Sequence, residues 1–368
     1  MNFFEKHKKK LLNISVLMVT LLVFLIFAEI FLRIFFAESI VLFPRYHTDA
    51  NYGEFTIRKL KPNTRFWHSS IDGSWEFVTN NQGFRSKKDF SYQKKADSIR
   101  VLALGDSFTQ GFEVRQGHTY SSILEKYLKS KGLEAEVINT GVSGFSTAEE
   151  LIFMENEGFK YNPDYVLVGF YANDYDDNLK SDIFRMDGGK LLLNKKKHIP
   201  GVKILNFHNS FGSFRWLSEN SYFYSFFLNL VWKSFKAALL KQKSMEMAVF
   251  SGSLDTYKID MANALIQRIC SFNKAKKIKT IFIDIPHQFP EGAEYSKSSI
   301  VPKIEKTITE NCDGLLLSKS YLGDFNSIVD PFVPHGQRHL SEFSHSLIGL
   351  NAGKIVEGFE LNAKKVLK

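Results

Sequence analysis

The feature that most limits the fold is a recurring pairing of a short apolar run with a helical stretch. Ile99–Gly105 (IRVLALG) is followed by a helical pattern over Tyr120–Ser130, and Ala135–Thr140 (AEVINT) by one from about Thr147 to Gly158. Asp164–Phe170 (DYVLVGF) is entered through Pro163, and Lys279–Ile285 (KTIFIDI) follows a helical stretch over Leu254–Phe272. Gly314–Leu317 is a weaker fifth run, and Ser341–Gly358 reads as a closing amphipathic helix. Short apolar strands alternating with helices imply an α/β chain with a parallel sheet covered on both faces. In such a sheet ligands lie at the carboxyl ends of the strands.

Composition removes the competing classes. Of 368 residues, 44% are hydrophobic and 24% charged, enough apolar mass to exclude disorder as the dominant state. Cys270 and Cys312 belong to no CxxC pair, so no zinc site is expected, and the sequence leaves open whether they form a disulfide. The 35 phenylalanines fit either a Phe-rich core or a lipid-facing surface. A net charge of +9 would suit nucleic acid if it were clustered on one face. The densest cluster, Lys6-His7-Lys8-Lys9-Lys10, instead stands directly before an apolar run, so no nucleic-acid partner is expected.

That run, Leu11 to Ala28, is 18 residues without charge, the length of a membrane-spanning helix. Glu29 and Arg33 follow at a spacing that lets them pair near an interface. The basic flank predicts a cytoplasmic N-terminus, with everything after about residue 37 outside the cytoplasm. A cleaved signal would have a shorter run and small residues after it; Ile30-Phe31-Leu32 are bulky. Residues 1–37 are therefore expected to be an anchor whose partner is membrane lipid. Residues 38–97 read as an irregular, partly extended segment, and 98–362 as the α/β domain, with an insertion at about 175–253. Within that insertion Ser221–Leu240 is nearly apolar but carries Lys233 and Lys236. A helix packed on the sheet or capping the site is expected there, ahead of a membrane-surface helix or a second span.

The first strand ends in Gly105-Asp106-Ser107-Phe108-Thr109-Gln110-Gly111. A serine where a strand hands over to a helix meets outward-facing backbone N–H groups, which stabilise an alkoxide and an oxyanion. A phosphate-binding loop would need a lysine after Gly111, and the GxSxG elbow is absent. A helix-capping Asp or Ser is the plain alternative for these residues alone. Further blocks follow in order: Asn139-Thr140-Gly141-Val142-Ser143-Gly144, Gly169-Phe170-Tyr171-Ala172-Asn173-Asp174 and His339-Leu340-Ser341-Glu342-Phe343-Ser344-His345.

Over roughly residues 98–360 this ordered set resembles the SGNH/GDSL esterase superfamily. Asn80-Asn81-Gln82-Gly83-Phe84-Arg85 and the apolar N-terminus look like a membrane-anchored branch of it. The resemblance implies a three-layer flavodoxin-like parallel sheet with helices on both faces. It implies Ser107 as nucleophile, an oxyanion hole from the N–H groups of Ser107 and Gly144 and the Asn173 amide, and His339 as general base. No cofactor and no metal are implied. The superfamily's carboxylate usually lies two or three residues before the histidine, where this chain has Gly336 and Gln337. Asp330 completing a triad, a Ser107–His339 dyad, and a chain that has lost catalysis all stay open. His335 stands four residues before His339, but Pro334 opposes a helix and no third metal ligand appears; His345 reads as structural. The expected function is a membrane-anchored extracytoplasmic serine esterase acting on acyl esters of cell-surface glycans or lipids, deacetylation of glycans foremost. The alternatives are O-acyl transfer at the same site and a non-catalytic glycan- or lipid-binding protein. A reporter fused to the C-terminus should be exported and stay membrane-bound; cytoplasmic reporter activity, or release of a shorter soluble form, contradicts the anchor.

Overall fold

The computed structural model describes residues 3–44, 46–248, 254–288, 296–325, 328–335 and 337–366. Helix α1 (Phe3–Phe35) carries the uncharged run, with its side chains exposed from Leu11 to Phe27. Residues 38–97 are more regular than their sequence suggests. They form two antiparallel hairpins, β1 (His47–Tyr52) with β2 (Phe55–Leu60), and β3 (Arg65–Ser70) with β4 (Gly73–Val78). Phe55, Ile57, Leu60, Phe66 and Phe77 point inward and join the main core, together with Phe84 and Phe90 from the following loop. Strand residues two apart share a face, which is why Phe66 and His68 are buried while Arg65 and Trp67 are exposed.

The strand–helix alternation then runs through β5 (Ile99–Leu104), α2 (Ser107–Gln110), α3 (Tyr120–Ser130), β6 (Ala135–Asn139), α4 (Thr147–Asn156), β7 (Tyr165–Phe170) and α5 (Asp174–Ser181). The insertion adds a hairpin, β8 (Phe184–Asp187) with β9 (Lys190–Leu193), and β10 (Lys197–His198), which pairs in parallel with β2. Three helices follow: α6 (Val202–Asn209), α7 (Gly212–Asn220) and α8 (Tyr222–Ala248). After α9 (Leu254–Ala275) come β11 (Lys279–Asp284), the short pair β12 (His287–Gln288) and β13 (Ser296–Lys297), α10 (Pro302–Asn311), β14 (Gly314–Leu316), α11 (Ser318–Leu322) and α12 (Glu342–Val366).

The central sheet has the order β14-β11-β7-β5-β6, and every neighbouring pair is parallel. Val101, Ala103, Leu167, Ile281 and Ile283 pack with α3 and α12 on one face. Leu102, Leu104, Val166, Val168 and Phe282 pack with α4, α9 and α10 on the other. This is the flavodoxin-like three-layer α/β arrangement. Because β6 and β7 lie on opposite sides of β5, the chain reverses direction across the sheet at β5. A crevice opens at the carboxyl ends of these three strands.

Among the described residues, His7–Phe35 is the one helix segment long and apolar enough to cross a membrane. Helix α8 lies instead over the carboxyl edge of the sheet, where Trp232 and Lys236 line the same cavity as Ser107. Its outer side leaves Phe227, Leu230 and Val231 exposed. The phenylalanines divide between the two places: some fill the core, while Phe24, Phe27, Phe31 and Phe35 stand exposed on α1. Glu29 and Arg33 pair at 2.7 Å, and the Glu29 carboxylate also accepts from the N–H groups of Tyr222 (3.0 Å) and Phe223 (2.9 Å) and from the Ser221 hydroxyl (2.8 Å). A carboxylate on the first N–H groups of a helix caps it, so the end of α1 is joined to the start of α8.

Cys270 on α9 and Cys312 after α10 form a disulfide, with Cα atoms 5.2 Å apart and 42 residues of separation. Closing a loop of that length restricts the unfolded chain by about 4 kcal/mol. The double substitution Cys270→Ala and Cys312→Ala should therefore lower the urea midpoint of the detergent-solubilised chain, with a stability loss of about 2–4 kcal/mol. An unchanged midpoint contradicts this.

Candidate active site

At the end of β5 the backbone of Gly105 adopts φ +151°, and a Cβ there would run into the Thr109 side chain. The chain can therefore turn sharply into α2, whose N-cap is Asp106, with Oδ1 accepting the Phe108 N–H at 2.9 Å. Ser107 opens the helix, and its Oγ lies 2.8 Å from His339 Nε2. His339 comes from a tight loop closed by the Val333 N–H donating to its carbonyl (2.7 Å) and the Ser341 N–H donating to the Pro331 carbonyl (2.9 Å). The imidazole is held between the rings of Phe108 and Phe112, at 4.7 and 4.6 Å. Burial pushes its pKa down to about 3, which keeps the ring neutral and Nε2 able to take a proton.

Gly144 stands in the loop after β6 with φ +77°, a left-handed conformation, and a Cβ there would sit 2.5 Å from Arg58 Nη2. That loop is pinned by the Ser143 N–H donating to Gln110 Oε1 (2.7 Å) and the Val142 N–H donating to the Gly105 carbonyl (3.1 Å). Asn173, after β7, donates its amide to Asp106 Oδ2 (3.1 Å) and Asp177 Oδ2 (3.0 Å). Both of its N–H groups thus face carboxylates. Burial raises the Asp106 pKa to about 6, and the bonds from Phe108 and Asn173 oppose that rise. Ser107, Gly144, Asn173 and His339 line one cavity of about 100 Å³. A larger groove of about 820 Å³, lined by Trp67, Lys87 and Lys126 among others, contains neither Ser107 nor His339.

Asp330 does not orient His339. Its Oδ1 accepts the Phe332 N–H at 3.0 Å, and its Oδ2 pairs with Arg338 Nη2 at 2.5 Å. The carboxylate facing the imidazole is Glu113, in the turn after α2, with Oε2 3.9 Å from His339 Nδ1. No hydrogen-bond partner is present for that Nδ1 among the described residues, and Glu113 itself is only 1% exposed. Its backbone has φ +61° and its N–H donates to His68 Nε2 at 2.9 Å, while the buried His68 ring stacks on Phe112. A buried carboxylate on a left-handed non-glycine residue is costly twice over, a combination that concentrates at functional sites. Burial raises the Glu113 pKa to about 7, and the backbone N–H groups of His339 and Gln337 oppose the rise. Sequence reasoning sought an acid just before the histidine; the available signal was an acid just after the serine, in Gly111-Phe112-Glu113. Of the two positions where the superfamily's acid was sought, Gly336 lies outside the described residues, and Gln337 lines the cavity.

The two histidines nearest His339 in sequence are engaged elsewhere. His335 Nδ1 lies 2.8 Å from Asp72 Oδ1, in the β3–β4 turn. His345 Nδ1 accepts the Tyr120 N–H at 3.1 Å and so ties α12 to the start of α3. No group of three His, Cys, Asp or Glu side chains suited to a metal occurs among the described residues.

A serine hydroxyl held on an imidazole at the head of a helix, on the carboxyl edge of a flavodoxin-like sheet, defines a chain built on a serine-hydrolase plan. Residues 103–294, just over half of the chain, match the model of the GDSL-like Lipase/Acylhydrolase family, and the chain belongs to that family. An arylesterase from Vibrio mimicus is 32% identical over 77 residues, which are 21% of this chain and 38% of that protein. The chain thus spans well under half the length of this curated relative. Among solved structures, TesA is 11% identical with a TM-score of 0.40, over 70% of this chain and 98% of its own. A lipase/acylhydrolase from Enterococcus faecalis is 13% identical with a TM-score of 0.40, over 71% of this chain and 96% of its own.

The two carboxylates separate cleanly in experiment. Above about pH 7 Glu113 is ionised beside a neutral His339; below it the pair holds one more proton, whichever group carries it. On a short-chain acyl ester, kcat/KM should rise through pH 7. Glu113→Gln should lower kcat/KM by about 10²–10⁴ and abolish that rise, whereas Asp330→Asn should cost less than about tenfold. The opposite ranking returns the orienting role to Asp330.

Proposed function

We propose that the chain is a membrane-anchored serine esterase whose domain beyond about residue 37 lies outside the cytoplasm and removes short acyl groups from cell-surface glycans. The observation that carries this reading is the 2.8 Å contact of Ser107 Oγ with His339 Nε2, inside the cavity that also holds Gly144 and Asn173. His339 takes the serine proton as Oγ attacks the ester carbonyl. The N–H groups of Ser107 and Gly144 receive the oxyanion, joined by one Asn173 N–H turned from its carboxylate. Each such donor lowers the barrier by about 3–4 kcal/mol. His339 then protonates the leaving alcohol, and water resolves the acyl-serine. Glu113, 3.9 Å from Nδ1, acts as a nearby charge that stabilises the imidazolium, and it takes up the Nδ1–H bond that an aspartate makes in a serine-protease triad only if the two close by about 1 Å.

The small cavity supports an acetyl-sized acyl group rather than a long chain. The basic flank and the 18-residue uncharged run Leu11–Ala28 that follows it support anchoring, and the Cys270–Cys312 disulfide suits an oxidising compartment outside the cytoplasm. Glu113 weakens the case for a non-catalytic binding protein, which rested on the missing acid.

A fluorophosphonate probe should label the wild-type chain and not Ser107→Ala. His339→Ala should lower kcat on a short-chain ester by several orders of magnitude. Equal labelling of wild type and Ser107→Ala moves the nucleophile elsewhere; no labelling of either overturns the esterase reading.

A further inference from the structure

We infer that Arg58 forms an anion subsite beside Ser107, so that the ester this enzyme prefers carries a carboxylate or phosphate close to its acyl group. The inference rests on the esterase reading of Ser107 and specifies its substrate class. Arg58 lies on β2, and its side chain belongs to the cavity that contains Ser107, Gly144 and His339. It is 5% exposed, and its Nε makes no hydrogen bond. Arg58 donates no hydrogen bond to any described residue. The nearest carboxylates act on it only at a distance and are already engaged. Asp177 pairs with Lys180 at 2.5 Å and accepts from Asn173, while Glu149 accepts the Ser146 N–H at 3.0 Å. A buried cation left without a hydrogen-bonding partner is expensive, and a guanidinium offers a planar fork that matches a carboxylate or phosphate.

The position is as telling as the charge. A Cβ on Gly144 would meet Arg58 Nη2 at 2.5 Å, so the fork lies against the loop that presents the Gly144 N–H to the reacting carbonyl. His47 from β1 and Lys236 from α8 line the same cavity, and no Asp or Glu does among the described residues. A second space of about 30 Å³ shares Arg58, Gly144, Trp232 and Lys236 and continues to Lys180 and His198, with Asp177 on its wall. An anionic substituent on the alcohol part of an ester bound at Ser107 would find its counter-charge here. A neutral ester would leave the guanidinium unsatisfied.

The test compares three substrates that share one acetyl ester and differ at the sugar C6 substituent: acetylated methyl glucoside, methyl glucuronide and methyl glucoside 6-phosphate. The wild type should favour at least one anionic sugar over the neutral one by about 10- to 100-fold in kcat/KM, the range of a hydrogen bond to a charged group. The faster of the two names the anion. Arg58→Met should bring that ratio to within about threefold of one, Arg58→Lys should keep part of it, and Lys236→Met should reduce it less. Fluorophosphonate labelling of each variant reports an intact site. If Arg58→Met fails to fold, Arg58→Lys and Lys236→Met still read the ratio. A wild type that labels but shows no anionic preference overturns the subsite alone. So does an Arg58→Met that slows all three esters equally, because that loss belongs to the oxyanion or the fold. A wild type that neither labels nor hydrolyses any ester overturns the esterase reading with it.

Discussion

Ser107 owes its position to a helix that cannot hold itself together. Helix α2 has four residues, and a single turn fixes its backbone at a cost that its own hydrogen bonds do not recover. Every other part of the site is arranged around pinning it. Asp106 caps its start, and Thr109 bonds inward to the Leu104 carbonyl at 3.2 Å and accepts from the Tyr120 hydroxyl at 2.9 Å. The Asn139 amide donates to the Thr109 carbonyl at 2.8 Å. At the far end the buried Arg85 guanidinium donates to the carbonyls of Gln110 (2.8 Å), Gly111 and Val114 while its face lies over the Phe77 ring. A cation on the last carbonyls of a helix satisfies groups that would otherwise be orphaned. The hairpins ahead of the α/β domain are thus part of the site's foundation.

That dependence shows which parts of the structure were legible beforehand. The five strands could be read because each is a short apolar run within a βα frame. Ser107 could be read from its place where a strand hands over to a helix, and His339 from the resemblance of the block that precedes the closing helix to that of the superfamily. The hairpins could not: β1 (His47-Thr48-Asp49-Ala50-Asn51-Tyr52) has almost no apolar alternation, and its burial comes from tertiary neighbours rather than its own pattern. Arg85 was visible as part of a motif without a physical role, because the carbonyls it serves are more than twenty residues away. Glu113 was missed for a related reason. Its carboxylate faces His339 only because the turn after α2 brings it there from 226 positions earlier in the chain.

Around Ser107 the protein buries an unusual amount of ionisable chemistry. Asp106 and Glu113 are joined by Glu149, Glu150 and Asp174, all with pKa values raised chiefly by burial. His68 and His345 are pushed the other way by the same cause. Charges and dipoles withdrawn from solvent in this way act on one another more strongly than they would in water. Asn173 shows how such carboxylates are held, since its amide donates to two of them, Asp106 and Asp177.

The capping of α8 by Glu29 gives the pocket a lever. Trp232 lies ten residues into α8 from Tyr222, about 15 Å of rigid helix at 1.5 Å per residue. One end of that arm is fastened to the helix that would sit in lipid, and the other hangs over the serine. The cap therefore fixes where α8 begins, and with it where Trp232 and Lys236 fall over the cavity. The roof of the cavity is thus set from outside the α/β sheet as well as from within it, and shortening α8 by a turn would move Trp232 and Lys236 relative to Ser107 even with every strand in place.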